Sequence, residues 1–98
     1  MTKRKSPGYA MASRQAVTAS AQTVTNANWK NMPTLILTNI GTDWVYVNIG
    51  GTATTTNGYP IPPNTQEVIT KDKDAVSLSV IGSGTASTLH VMPSGEGV

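Results

Sequence analysis

The 98-residue chain has no cysteine and no phenylalanine. Without thiols there is no disulfide framework, no thiolate nucleophile and no cysteine-ligated zinc, a pattern that fits synthesis in a reducing cytoplasm. Without phenylalanine, the core has to come from Val, Ile, Leu and Met, helped by Trp29, Trp44, Tyr46 and Tyr59. Charge is scarce as well, at 12% of residues. No apolar run reaches the roughly 18 residues of a membrane-spanning helix, so no membrane partner is expected. The basic N-terminus is not followed by the apolar stretch of a secretory signal. What remains is rich in Thr, Ser, Asn, Gly and Val. Thr and Val suit a pleated, half-buried surface, and few stretches have the composition of a good helix. The length suits one domain, which at this size buries roughly two-thirds of its unfolded surface.

The few charges are unevenly placed. Lys3, Arg4, Lys5 and Arg14 are unopposed in the first fourteen residues, whereas Lys30, Lys71 and Lys73 face Asp43, Glu67, Asp72, Asp74 and Glu96 in the rest. The arm is therefore about +4 and the body about −2 at neutral pH. Residues 1–14 have no sustained periodicity, and Pro7 and Gly8 break any helix. They read as a flexible basic arm, with residues 15–98 as the folded domain.

Hydrophobic alternation then predicts the strands. Residues 15–25 read as one edge strand, and residues 26–33 as a connection. The runs 34–40 and 44–49, separated by Gly41-Thr42-Asp43, read as a β-hairpin. In the second run Val45, Val47 and Ile49 oppose Trp44, Tyr46 and Asn48. Residues 50–64 read as a long loop with three prolines, of a length that usually has a role or a structure of its own. Strands follow at 65–70, 75–82 and 85–92. Between them lie a charged turn, Lys71 to Asp74, and a Gly82-Ser83-Gly84 turn, with PSGEGV left outside the sheets. About six to seven short antiparallel strands with little helix predict an all-β fold, a small jelly-roll-like sandwich with an extended N-terminal arm. Several strands have one apolar and one polar face, which favours the sandwich over a barrel.

Catalytic equipment is thin. His90, the single histidine, points away from the face of Leu89 and Val91 and reads as a surface or interface residue. No G-x-S-x-G elbow is present. Asp72 and Asp74 are interleaved with Lys71 and Lys73 and lack a glutamate at calcium-loop spacing. Gly50-Gly51 is not followed by the Lys-Ser/Thr pair of a phosphate loop. No catalytic, metal or cofactor residue is assigned, and no enzymatic activity is expected. The candidates are for partner binding. Lys3, Arg4, Lys5 and Arg14 offer phosphate attraction without sequence readout, but Tyr9 and Met11 would serve as apolar anchors in a protein groove. A protein is therefore the expected partner of the arm, not nucleic acid. Tyr59 and Ile61 make the long loop partly apolar and suited to a neighbouring subunit. On the Trp44/Tyr46 face, Trp44 reads as core and Tyr46 as an interface residue.

Three stretches carry a resemblance: Thr38-Asn39-Ile40-Gly41-Thr42, then Val45-Tyr46-Val47-Asn48-Ile49-Gly50-Gly51-Thr52-Ala53-Thr54, then Gly58-Tyr59-Pro60-Ile61-Pro62-Pro63. Together with the closing VSLSVIGSGTASTLHVM, they make residues 34–92 resemble small β-sandwich structural proteins of tailed bacteriophages, of the head decoration or cement type. The resemblance implies a virion protein on the capsid surface, made in the host bacterial cytoplasm. It also implies self-association, with a trimer favoured, and binding to the major capsid protein. The same fold serves head-tail adaptors, head-fibre bases and tail proteins, which stay open as alternatives. From a different class, a glycan-binding module would use Trp44, Tyr46 or Tyr59 as stacking platforms.

Overall fold

The computed structural model describes residues 13–94. They form eight strands: β1 (Ser13–Val17), β2 (Gln22–Thr25), β3 (Thr34–Gly41), β4 (Val45–Asn48), β5 (Tyr59–Ile61), β6 (Thr65–Thr70), β7 (Ser77–Gly82) and β8 (Ser87–Ser94). One sheet has the order β1-β8-β3-β6 and the other β2-β7-β4-β5, with every pairing antiparallel. The chain changes sheet at nearly every connection. The nested pairs β1–β8, β2–β7, β3–β6 and β4–β5 describe one long hairpin rolled into a sandwich, which is the jelly-roll arrangement.

The pleat explains the packing. Alternate residues of each strand point inward, so Leu35 and Leu37 of β3 and Leu89 and Val91 of β8 meet Val45 and Val47 of β4 and Leu78 and Val80 of β7 across the core. Trp29, fully buried, plugs the same core from a single 3-10 turn, Ala27–Trp29. Asn26 caps that turn, its side-chain oxygen accepting from the Asn28 N–H at 2.9 Å. The connection between β2 and β3 thus supplies the largest core side chain.

Several sequence expectations are corrected. The expected strand at 15–25 is two strands in different sheets. The chain turns at Thr18, whose hydroxyl bonds both the N–H and the carbonyl of Ser20, and Gly82 N–H donates to the Thr18 carbonyl at 2.8 Å. The expected hairpin between residues 34–40 and 44–49 does not form: β3 and β4 belong to opposite sheets. The reason is that both carry an apolar row, and the two rows cover each other across the core. The corner between them is held by Asn39 and Asp43. Asn39 is fully buried, and its amide donates to the carbonyls of Asp43 (2.8 Å), Ile61 (3.0 Å) and Pro62 (3.1 Å). The Asp43 carboxylate accepts from Ala86 N–H at 2.7 Å, and its backbone exchanges hydrogen bonds with the Ser87 hydroxyl. Gly41 lies in this corner at φ 141°, and a Cβ there would collide with the Ala86 carbonyl and sit 2.6 Å from Ser87 Cα. The long loop contains an extra strand, β5, paired to β4 through Val45↔Ile61 and Val47↔Tyr59. That strand brings the total to eight, against the six to seven expected. Finally, β8 continues through Pro93 and Ser94, opposite Leu35 and Thr34, which the sequence reading left outside the sheets.

Candidate functional site

Lys3, Arg4, Lys5, Tyr9 and Met11 lie outside the described residues. Arg14 does not belong to an arm: it is the second residue of β1, opposite His90. Pairing with β8 satisfies the backbone there, so Arg14 belongs to the β-sandwich. Arg14 is exposed and shares with His90, Thr38 and Gln66 one row across the outer face of the β1-β8-β3-β6 sheet. The Gln66 side-chain amide donates to the Thr38 hydroxyl at 3.1 Å within that row.

The neighbouring row on this face is Met92, Ile36 and Val68. Val68 is 44% exposed and, with the half-buried Ile36 and Met92, makes this row an apolar strip; Ile40, 47% exposed, lies apart from it, beyond the polar row of Arg14, His90, Thr38 and Gln66. This apolar strip was missed by the sequence reading, although its signal was present. In TLILTNI both alternating sets are apolar, Leu35 and Leu37 as well as Ile36 and Ile40, which a strand with one wet face does not need.

Tyr46 lies on the outer face of the other sheet, in a row with Ile81 and Pro60. The chain's own β4–β5 loop folds back over this face. Ala53 is buried there, its N–H donating to the Ser79 hydroxyl at 2.9 Å. Thr54 and Asn57 bond each other reciprocally, Thr54 N–H to Asn57 Oδ1 at 2.8 Å and Asn57 N–H to Thr54 Oγ1 at 3.1 Å. Gly58 then passes so close that a Cβ would sit 2.6 Å from Tyr46 Cβ. The loop therefore has a structure of its own, and Tyr46 is half-buried under it rather than openly displayed. Trp44 was expected in the core but is 43% exposed. It stands on the same side of the chain as Tyr46, beyond the start of β4, where the opposite parity of Val45 has taken the core position.

Ile61 is corrected outright as a partner contact. It is fully buried among the core residues, because pairing with Val45 aims its side chain inward. Tyr59, two residues earlier, sits at the rim and is 46% exposed. Its hydroxyl donates to Glu67 Oε1 at 3.0 Å, tying β5 to β6 across the open side of the sandwich. That hydrogen bond and the negative charge of Glu67 both favour the neutral phenol and push the Tyr59 pKa above its ordinary value. Beside this pair lies an open groove of about 470 Å³, lined by Val47, Ile49, Tyr59, Pro60 and Ile69 together with Asn48, Asn57 and Gly58.

The four sequence-assigned residues that are described do not converge. Arg14 is on β1, Tyr46 under the loop on the opposite outer face, Tyr59 at the β5 rim and Ile61 in the core. The surfaces open to a partner are instead the apolar strip over β8, β3 and β6, the groove between β5 and β6, and Trp44. The charged turn is locally satisfied: Lys71 Nζ donates to the Asp72 carbonyl at 3.0 Å, and Asp74 N–H donates to Asp72 Oδ1 at 3.1 Å. Partial burial pushes the Lys71 pKa down despite Asp72 and Asp74. Among the described residues no group of three or more His, Cys, Asp or Glu side chains could hold a metal ion, and no helix is long and apolar enough to cross a membrane. No protein-family model matches the chain, and no curated protein is significantly similar to it.

Proposed function

We propose that this protein is a structural component of a tailed-phage virion, a capsid decoration protein that binds and stabilises the major capsid shell. The observation that carries the reading is where the phage-like sequence pattern falls. Residues 34–92 run from the start of β3 nearly to the end of β8, and the pattern's Asn39 and Gly41 are the residues that hold the corner between the sheets. The rolled topology adds support, since jelly rolls are a common architecture of viral capsid domains, though also of lectins. An exposed apolar strip gives a protein partner a surface to cover. The mechanism is multivalent: many copies, each held weakly, bridge neighbouring capsid subunits and resist outward pressure. Three-fold self-association fits that plan.

The test is decoration of purified, expanded capsids by the full chain, compared with variants lacking residues 2–12 or carrying Val68→Asp. Saturable binding that both changes reduce supports the reading. Failure of the unmodified chain to bind would contradict it, whatever its oligomeric state. A second reading, glycan binding, is favoured by Trp44, whose exposed ring stands beside Tyr46. Binding on a glycan array that is lost with Trp44→Ala would replace the first proposal.

A further inference from the structure

We infer that the free edge of β6 and the groove beside it receive the N-terminal arm of a second copy of this chain, added as an extended strand. Each sheet has two edges, β1 and β6 in one, β2 and β5 in the other. Edge strands are ordinarily blunted by brevity, proline or charge. β5 has three residues including Pro60, β2 has four, and β1 carries Arg14. β6 is the longest of the four at six residues, has no proline, and among the described residues pairs only with β3. Its one charged side chain, Glu67, is held toward Tyr59. Ile69 of the same strand lines the apolar groove with Tyr59 and Val47. An unpaired edge beside a side-chain pocket is the arrangement that recognises an extended peptide.

The sequence of the arm complements this site. Tyr9 and Met11 are two residues apart, so in an extended chain they point to the same side and both reach the groove. With Tyr9 and Met11 in the groove, antiparallel addition carries Lys5, Arg4 and Lys3, four to six residues further along the strand, past Ile69 to Asp72 and Asp74, which follow β6 in the next turn. The body is acidic overall where the arm is basic, so the attraction is directed.

The geometry also selects a second copy over the chain's own arm. Ser13, Val91, Leu37 and Glu67 stand in one row across the sheet. The arm therefore leaves from the edge opposite β6, three strand spacings or about 14 Å away. Crossing that width takes about four to five extended residues, which uses up Tyr9 and Met11 before β6 is reached. In a neighbour, the whole arm is available.

The inference does not rest on the virion reading, and its test uses the purified chain alone. Sedimentation equilibrium of the full chain should show self-association that weakens with salt. Reversing the arm (Lys3→Glu, Arg4→Glu, Lys5→Glu) should weaken it at least about tenfold, and Asp72→Lys with Asp74→Lys should do the same. Combining the two sets should recover most of the loss, and Tyr9→Ala with Met11→Ala should again weaken association. Amide exchange on β6 in the full chain should be slow, and should quicken in the arm-reversed variant, whose folded domain is untouched. A monomer at all concentrations would overturn the inference, as would association indifferent to arm reversal or no recovery in the combined variant.

Discussion

Asn39→Ala should be among the most damaging single substitutions in the chain. The wild-type amide offers two protons to the carbonyls of Asp43, Ile61 and Pro62, all within 3.1 Å, from a side chain with no solvent exposure. It fastens the β3–β4 corner to the β5–β6 connection, each of which crosses from one sheet to the other. Alanine removes both protons and leaves carbonyls facing a small void. Each net hydrogen bond is worth about 0.5–1.5 kcal/mol, and a buried acceptor left unpaired costs about 1–3 kcal/mol, so the loss should come to about 2–4 kcal/mol. For a domain of this size that is a fall in unfolding midpoint of about 10–25 °C. Urea denaturation at several temperatures, followed by far-ultraviolet circular dichroism, gives the comparison. Asn57→Ala, in the solvated loop, serves as the control and should lose less than about 1 kcal/mol. If Asn39→Ala costs no more than Asn57→Ala, the clamp does not hold the corner and the reasoning fails.

Other outcomes follow from the same structure. Gly41→Ala should lose at least about 2 kcal/mol, since it combines an unfavourable φ with a backbone collision at Ala86 and Ser87; a denaturation midpoint equal to wild type would contradict the packing of that corner. Trp29→Ala should cost about 3–5 kcal/mol, whereas Trp44→Ala should stay within about 0.5 kcal/mol. The fluorescence of Trp44→Phe, which reports Trp29, should be blue-shifted and shielded from acrylamide; that of Trp29→Phe should be red-shifted and readily quenched. Glu67→Gln should bring the Tyr59 pKa down toward its ordinary value, because the negative charge that favours the neutral phenol is gone. An ultraviolet titration with Tyr9 and Tyr46 replaced by Phe isolates Tyr59, and an unchanged midpoint would remove Glu67 as the cause.

Strand content was largely legible in the sequence because alternation is a local property. The run at Thr65–Thr70 matches β6, and of the inward set Val76, Leu78 and Val80 read from its spacing, Leu78 and Val80 of β7 are buried, like Leu89 and Val91 of β8, while Val76 precedes the strand and is half-buried. Pairing was less legible, because it depends on what lies across the core. The runs around Leu35–Leu37 and Val45–Val47 look like hairpin partners, yet their apolar rows satisfy each other face to face instead. Of the two tryptophans expected to help the core, Trp29 is there and Trp44 is not: parity sends Val45 inward and Trp44 outward, while Trp29, in a segment without periodicity, is carried inward by a short 3-10 turn. The binding surface was the least legible part. Ile61 and Tyr59 are two residues apart in a three-residue strand, and only the pairing with Val45 and Val47 shows that one is core and the other rim. Ile36, Met92 and Val68 become a strip only once β8, β3 and β6 are known to be neighbours.

The central claim is that the chain works as a multivalent structural element on a capsid. The most direct measurement is its copy number and position in purified particles, by quantitative mass spectrometry together with image reconstruction. Hundreds of copies on the outer shell, at sites between capsomers, are the expected result. About a dozen copies confined to the neck would assign it to the head-tail joint instead, and its absence from particles would contradict the claim altogether.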